Sequence, residues 1–184
     1  MIVEMLNHAE RNAYHSVTNF RIPDEHPFSL PVLREALDTV VTRHDILRTS
    51  VALTDYSQPL QLVHADARIP LALHDLRGLD EEEQQRAGLD FVADERGRAF
   101  DLAAVPLLRI TVHLESDEAW RITFTQCHAI TDGWSLSSLL MELLDTYRLL
   151  RDGRPLPAYE APAVRFAGDI RRPGRPGSTR LECG

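Results

Sequence analysis

The sequence predicts an α+β fold, with a mixed, largely antiparallel sheet flanked by helices. Three observations carry this expectation. Strand patterns and helix patterns are mixed along the chain, and neighbouring strand patterns are joined by short turns and not by the regular crossover helices of a doubly wound sheet. The chain has 184 residues, 43% of them hydrophobic, which is enough to bury one substantial core.

Taken in order, residues 14–22 read as a strand, followed by a turn region between Pro23 and Pro27. Ser29 is placed to cap a helix on which Leu33, Leu37, Val40 and Val41 share one face, and that helix is expected to run to about Arg43. Residues 46–53 put Leu47, Val51 and Leu53 on one side of an extended segment, with 60–63 as its hairpin partner and 69–73 as a third short strand. Asp80, Glu81, Glu82 and Glu83 mark a helix start, because carboxylates oppose the positive end of the helix dipole; this helix is expected to extend to about Glu95.

Residues 107–114 and 120–127 are strand patterns around a polar turn at 115–118, an antiparallel hairpin on which Trp120, Ile122 and Phe124 share a face. Beyond Asp132 and Gly133, the residues Leu136, Leu139, Leu140, Leu143, Leu144 and Tyr147 recur at helical spacing, the strongest helix signal in the chain, and Gly153 is its expected stop. Pro155, Pro157, Pro162, Pro173 and Pro176 then break regular structure, so residues 171–184 read as a linker or disordered tail after a unit spanning 1–170. No internal repeat is visible.

Composition narrows the class. A net charge of -8 argues against nucleic acid, which needs a clustered basic surface, although the stretch from Arg165 to Arg180 is locally basic. All twenty cationic side chains are arginine, which reads as the coding bias of a GC-rich genome since they are spread along the chain. Cys127 and Cys183 form neither a disulfide framework nor a paired zinc motif, so no metal is expected. No apolar run approaches the ~20 residues of a membrane span, and the N-terminus lacks the basic-then-apolar order of a signal peptide. A cytoplasmic protein without a membrane partner is the expectation.

The run Gln126-Cys127-His128-Ala129-Ile130-Thr131-Asp132-Gly133-Trp134-Ser135 lies where a strand pattern ends and a helix pattern begins. An imidazole titrates near neutral pH, so His128 at a strand end is suited to accept a proton from an attacking nucleophile, although a histidine beside a strand is more often structural. Asp132 precedes a helix, where a carboxylate most often caps amides or pairs with an arginine. Gly133 allows close approach that a Cβ would obstruct, and a turn glycine is also commonplace. Cys127 would point to the opposite face from His128, so a buried thiol is favoured over a nucleophile. Ser135 sits at a helix cap and is not in a GxSxG elbow. Arg43 and Arg48, in Arg43-His44-Asp45-Ile46-Leu47-Arg48-Thr49, are ordinary charges at a helix C-terminus or, more sharply, an anchor for Asp132.

These two stretches carry a resemblance. Residues 127–133 resemble the HHxxxDG signature of condensation domains in nonribosomal peptide synthetases, residues 43–49 resemble that family's RHxxLRT motif, and Phe100-Asp101-Leu102 with Pro106-Leu107-Leu108-Arg109 resembles the stretch between them. The order and spacing agree over roughly residues 14–170. The resemblance implies a chloramphenicol-acetyltransferase-like fold of two similar lobes with the active site in a tunnel between them, of which residues 1–170 would be the N-terminal lobe.

It further implies an acyltransferase in the full-length parent, in which the amine of an acceptor attacks the thioester of a donor to form an amide. The partners implied are donor and acceptor peptidyl carrier proteins, the adjacent synthetase domains and the missing C-terminal lobe. No cofactor is bound directly, since the substrates ride on the carriers' phosphopantetheine arms. His128 matches the second signature histidine, which positions or deprotonates the amine. Asp132 would be structural and paired with Arg43, and Gly133 would leave room beside the pantetheine or the developing oxyanion. Cys127 stands at the first histidine, a mainly structural position in the family.

The N-terminal SxAQ-type motif is expected to lie before Met1, residues 164–170 are a degraded match to the next motif, and the C-terminal lobe is not expected within residues 1–184. The chain alone is therefore expected to be inactive. An ester-forming acyltransferase of the same superfamily and a noncatalytic carrier-recruitment domain are the alternatives.

Overall fold

The computed structural model describes residues 15–53, 59–131 and 133–159. In chain order these form β1 (His15–Pro23), α1 (Leu30–Arg43), a 3-10 turn (Asp45–Arg48), β2 (Thr49–Ala52), β3 (Leu60–Val63), β4 (Leu71–Asp75), α2 (Glu81–Gly97), β5 (Leu108–Leu114), β6 (Ala119–Cys127) and α3 (Gly133–Arg151). The main sheet has the order β1-β6-β5-β4; β6 is antiparallel to both β1 and β5, and β4 runs parallel to β5. A parallel pair needs a long crossover, and α2 supplies it. β2 and β3 form a separate antiparallel pair. The predicted α+β class, with a mixed and largely antiparallel sheet, is the one observed.

Period-two alternation gives the main sheet two unlike faces. Trp120, Ile122, Phe124 and Gln126 of β6, with Leu108, Ile110 and Val112 of β5, make one face, and all are buried. Against it lie the apolar stripes of α1 (Leu33, Leu37, Val40, Val41) and α3 (Leu136, Leu139, Leu140, Leu143, Leu144, Tyr147), in one continuous core. Tyr147 meets Trp120 edge-on at 6.0 Å, and Phe28 packs on Trp120 at 5.1 Å. The opposite face is polar, carrying Thr111 and His113 of β5 and Thr123 and Thr125 of β6, all buried. α2 reaches this face through Phe91, whose ring stands edge-on to His113 at 4.8 Å, and through Glu95, which accepts from Arg109 at 3.0 Å.

Several boundaries differ from the sequence reading. Ser29 stands at the N-cap of α1, yet its side chain makes no capping bond; its N–H donates to Tyr147 Oη at 3.0 Å, so the cap is used to fasten α1 to α3. Residues 46–48 are not extended. They belong to the 3-10 turn, because Leu47 N–H bonds back to His44 O and Thr49 Oγ1 to Asp45 O, and the strand begins only at Thr49. The third strand starts two residues later than expected, since Ile69 is withdrawn completely into the core and its carbonyl accepts from Arg34. α3 ends as predicted: Gly153 has φ 62°, a left-handed conformation that glycine adopts freely, and Arg154 N–H closes on Leu149 O at 2.8 Å. The expected boundary at residue 170 lies outside the described residues.

Candidate functional site

β6 delivers the signature run to the end of the sheet. It is fastened there by Cys127 N–H to Leu107 O at 3.1 Å, and the chain then turns tightly, with Ile130 N–H bonded to Cys127 O at 3.1 Å. Ile130 and Thr131 are buried beneath the turn, and Thr131 Oγ1 donates to the buried Gln126 Oε1 at 2.7 Å. The turn is thus pinned from inside, while His128 at its tip is exposed. His128 Nδ1 lies 3.3 Å from Thr131 O. A carbonyl only accepts, so a hydrogen bond here requires the proton on Nδ1, and in that neutral tautomer the lone pair is on Nε2. The arrangement can accept a proton, or the N–H of a substrate, at Nε2.

Cys127 is 3% exposed, and burial pushes its thiol pKa up, which keeps the sulfur protonated and unsuited to nucleophilic attack. Gly133 opens α3. A Cβ built on it would meet nothing within 4 Å, and its φ is not positive, so neither packing nor backbone geometry in the described chain requires glycine there. Asp132, and with it the expected pairing to an arginine, lies outside the described residues.

The two motif arginines have partners of their own among the described residues. Arg43 donates to Glu142 Oε1 of α3 at 3.1 Å and to Pro157 O at 3.4 Å, and its guanidinium lies over the Tyr159 ring at 5.4 Å. His44 Nε2 meets the other oxygen of Glu142 at 2.6 Å. Burial opposes ionisation of Glu142, but the hydrogen bonds from His44 and Arg43 outweigh it and hold its carboxyl below the usual range. Arg48 bonds to Val41 O, His64 O, Ala65 O and Asp45 Oδ1, tying the 3-10 turn to the ends of α1 and β3. Chain connectivity therefore gathers Cys127, His128 and Gly133 at the end of β6, whereas Arg43 and Arg48 brace the α1 end.

Two residues escape the sequence reading. Glu142 has no local motif to announce it, being a polar position on a helix whose importance lies in partners 98 and 99 residues away. His15, the first residue of β1, stands directly opposite Cys127 in the antiparallel register. Both its ring nitrogens are buried without a hydrogen-bond partner among the described residues, and its ring meets Phe100 edge-on at 5.3 Å. Burial and then the charge of Arg109 lower its pKa, against an opposing pull from Glu95. Only the strand register could have pointed to it.

Known proteins resemble this chain in sequence and in structure. A family profile described as the Condensation domain matches residues 2–168. The chain is 38% identical over 142 residues to the phosphinothricin tripeptide synthetase PhsB of Streptomyces viridochromogenes, covering 77% of this chain and 12% of the relative. It is 38% identical over 131 residues to the malpibaldin synthetase of Mortierella alpina, a match that takes 70% of this chain and 2% of that protein. It thus spans a small fraction of these relatives' length. In structure it is similar to the first condensation domain of the calcium-dependent antibiotic synthetase, with a TM-score of 0.74 at 21% identity over 86% of this chain and 37% of the other. SgcC5 of Streptomyces globisporus gives a TM-score of 0.69 at 27% identity, over 82% and 33% of the two chains. These likenesses bear out the chloramphenicol-acetyltransferase-like fold class, and with the profile spanning most of its length, this chain belongs to the condensation-domain family.

Proposed function

We propose that this chain is the N-terminal lobe of a nonribosomal peptide synthetase condensation domain, which in its complete form joins an acyl donor to an amine acceptor, both carried on phosphopantetheine by partner carrier proteins in the cytoplasm. The amine nitrogen attacks the thioester carbonyl, the N–C bond forms, the C–S bond breaks, and the proton lost by nitrogen ends on the departing thiolate. His128 Nε2 is the group that orients the amine or takes that proton. Gly133 leaves space at the start of α3 for the pantetheine or the developing oxyanion, and Asp132 keeps the structural role that its place in the signature implies. One wall of a tunnel does not turn over, so the chain by itself is inactive.

The observation that carries this reading is the exposed His128 imidazole, held on an internally pinned turn with its Nδ1 side committed to Thr131 O. General acid–base groups contribute about 10²–10⁴-fold. In the full-length parent, His128→Ala is therefore expected to lower the single-turnover condensation rate by about 10²-fold or more, measured with acyl-loaded donor carrier and a panel of aminoacyl acceptors. An unchanged rate removes His128 from the mechanism. Product from hydroxyl acceptors alone would make the reaction ester formation.

Cys127 at the first signature position favours one other reading, a carrier-recruitment domain whose site has relaxed. It predicts carrier binding without product in the parent, and a large gain of rate in Cys127→His.

A further inference from the structure

We infer that His15 is a positioning residue of this site, supplying from β1 the imidazole that the family signature carries at position 127; the inference rests on the condensation reading. His15 and Cys127 are direct partners in the β1–β6 register. Directly opposed residues of an antiparallel pair project from the same face, with Cβ atoms about 5 Å apart. The ring of His15 therefore occupies the same end of the same sheet face as the side chain of residue 127. That end is where β6 hands over to His128.

The side chain at 127 cannot itself do an imidazole's work. Its thiol is buried, and S–H is a weak donor. His15 carries the capacity that is missing: a neutral imidazole offers one N–H and one lone pair, and neither is used among the described residues. Buried polar atoms without partners are few in native proteins, and each calls for an explanation. The neighbours of His15 do not provide one. Phe100 offers a ring and no N or O atom, and Arg109 is committed to Glu95 Oε2, to Arg98 O and to the face of Phe100. The small side chain at 127 and the large ring at 15 are complementary in volume, so the imidazole has in effect moved across the strand pair. Its free donor and acceptor are reserved for a polar group that the complete site brings to the end of β6.

The test is an exchange. Four forms of the full-length parent are compared: wild type, His15→Ala, Cys127→His, and the double variant His15→Cys/Cys127→His, with His128→Ala as control. Each is assayed with acyl-loaded donor carrier and aminoacyl N-acetylcysteamine acceptors. His15→Ala is expected to lower kcat at least about tenfold with KM little changed, as displacement of a positioning group does. Cys127→His, which sets two rings face to face, is expected to fall as well, and the exchange is expected to recover to within about threefold of wild type.

Wild-type kcat in His15→Ala, or an exchange no faster than His15→Ala, overturns the inference and leaves the condensation reading standing as long as wild type forms product. No product from wild type with any acceptor overturns the condensation reading and the inference with it, whereas full activity in His128→Ala removes His128 from the mechanism and, with it, the site that His15 is inferred to position. If His15→Ala does not fold, the exchange variant still decides against wild type: a rate within about threefold supports the inference, and a loss of about tenfold or more overturns it.

Discussion

His113 shows how a single buried side chain sets the acid limit of the sheet. It is 5% exposed, stacked against His74 at 5.1 Å and met edge-on by Phe91 of α2. Burial first, and then the charges of His74 and Arg121, lower its pKa from 6.5 to about 4, with Glu115 pulling the other way. Between those values the unfolded chain binds a proton that the folded chain refuses, so the stability it contributes is complete above pH 6.5 and declines as pH falls toward 4. The loss across that window is of order 3 kcal/mol. His15, also lowered, acts in the same direction. Urea unfolding of wild type and His113→Phe at pH 7 and pH 5 checks this; the variant keeps the ring contacts and is expected to lose less stability than wild type. Equal losses would place the acid sensitivity elsewhere.

At this scale the sequence is informative only where local pattern carries chemistry. His128 stands out because a polar run interrupts the join of two apolar patterns. The environments of His113 and His15 depend on cross-strand register, and the partner of Arg43 depends on how α3 packs against α1.

Among the elements, α2 is the one whose sequence and packing disagree most with the picture of an amphipathic helix on a core. Its start is legible: Asp80 Oδ1 accepts from Glu83 N–H at 2.9 Å while Glu83 Oε2 accepts from Asp80 N–H at 3.1 Å, a reciprocal capping box. Its attachment is not legible, because it rests on polar contacts to the threonine-lined face. Gln84 Nε2 donates to Leu76 O and Glu115 O, and Glu95 accepts from Arg98 and Arg109 while burial resists its ionisation. Removing this carboxylate leaves Arg109, only 16% exposed, without its counter-charge. Glu95→Ala is expected to cost about 2–4 kcal/mol, whereas Asp80→Ala, which removes a cap at the exposed end, costs about 1 kcal/mol. Denaturant midpoints measure both, and amide exchange along α2 should quicken much more in Glu95→Ala. Similar small losses in the two variants would show that the helix is not held through Glu95. The 3-10 turn eludes sequence reading for a related reason: Ile46, Leu47 and Arg48 look extended by alternation, and only the bonds Leu47 N–H to His44 O and Thr49 Oγ1 to Asp45 O decide otherwise.

For the whole molecule, the fold class can be read from the sequence because each layer has its own periodicity, and the apolar stripes of α1 and α3 match the apolar face of β5 and β6. What cannot be read is how the layers leave the site. The chain has a continuous core of its own, yet His128 is exposed at one end of the sheet and a Cβ at Gly133 would meet open space. A site finished by this chain alone would shield its reacting groups from water, since electrostatic and proton-transfer chemistry gains from exclusion of solvent. Folding and catalysis should therefore separate. The chain expressed by itself is expected to unfold in a cooperative denaturant transition and to give no condensation product above the uncatalysed aminolysis of the thioester. The C-terminal lobe of the parent, added in trans, is expected to restore measurable product, and His128→Ala to abolish that gain. Turnover by the chain alone at the parental rate would mean that a single lobe holds the complete site, and the proposed two-walled tunnel would have to be abandoned.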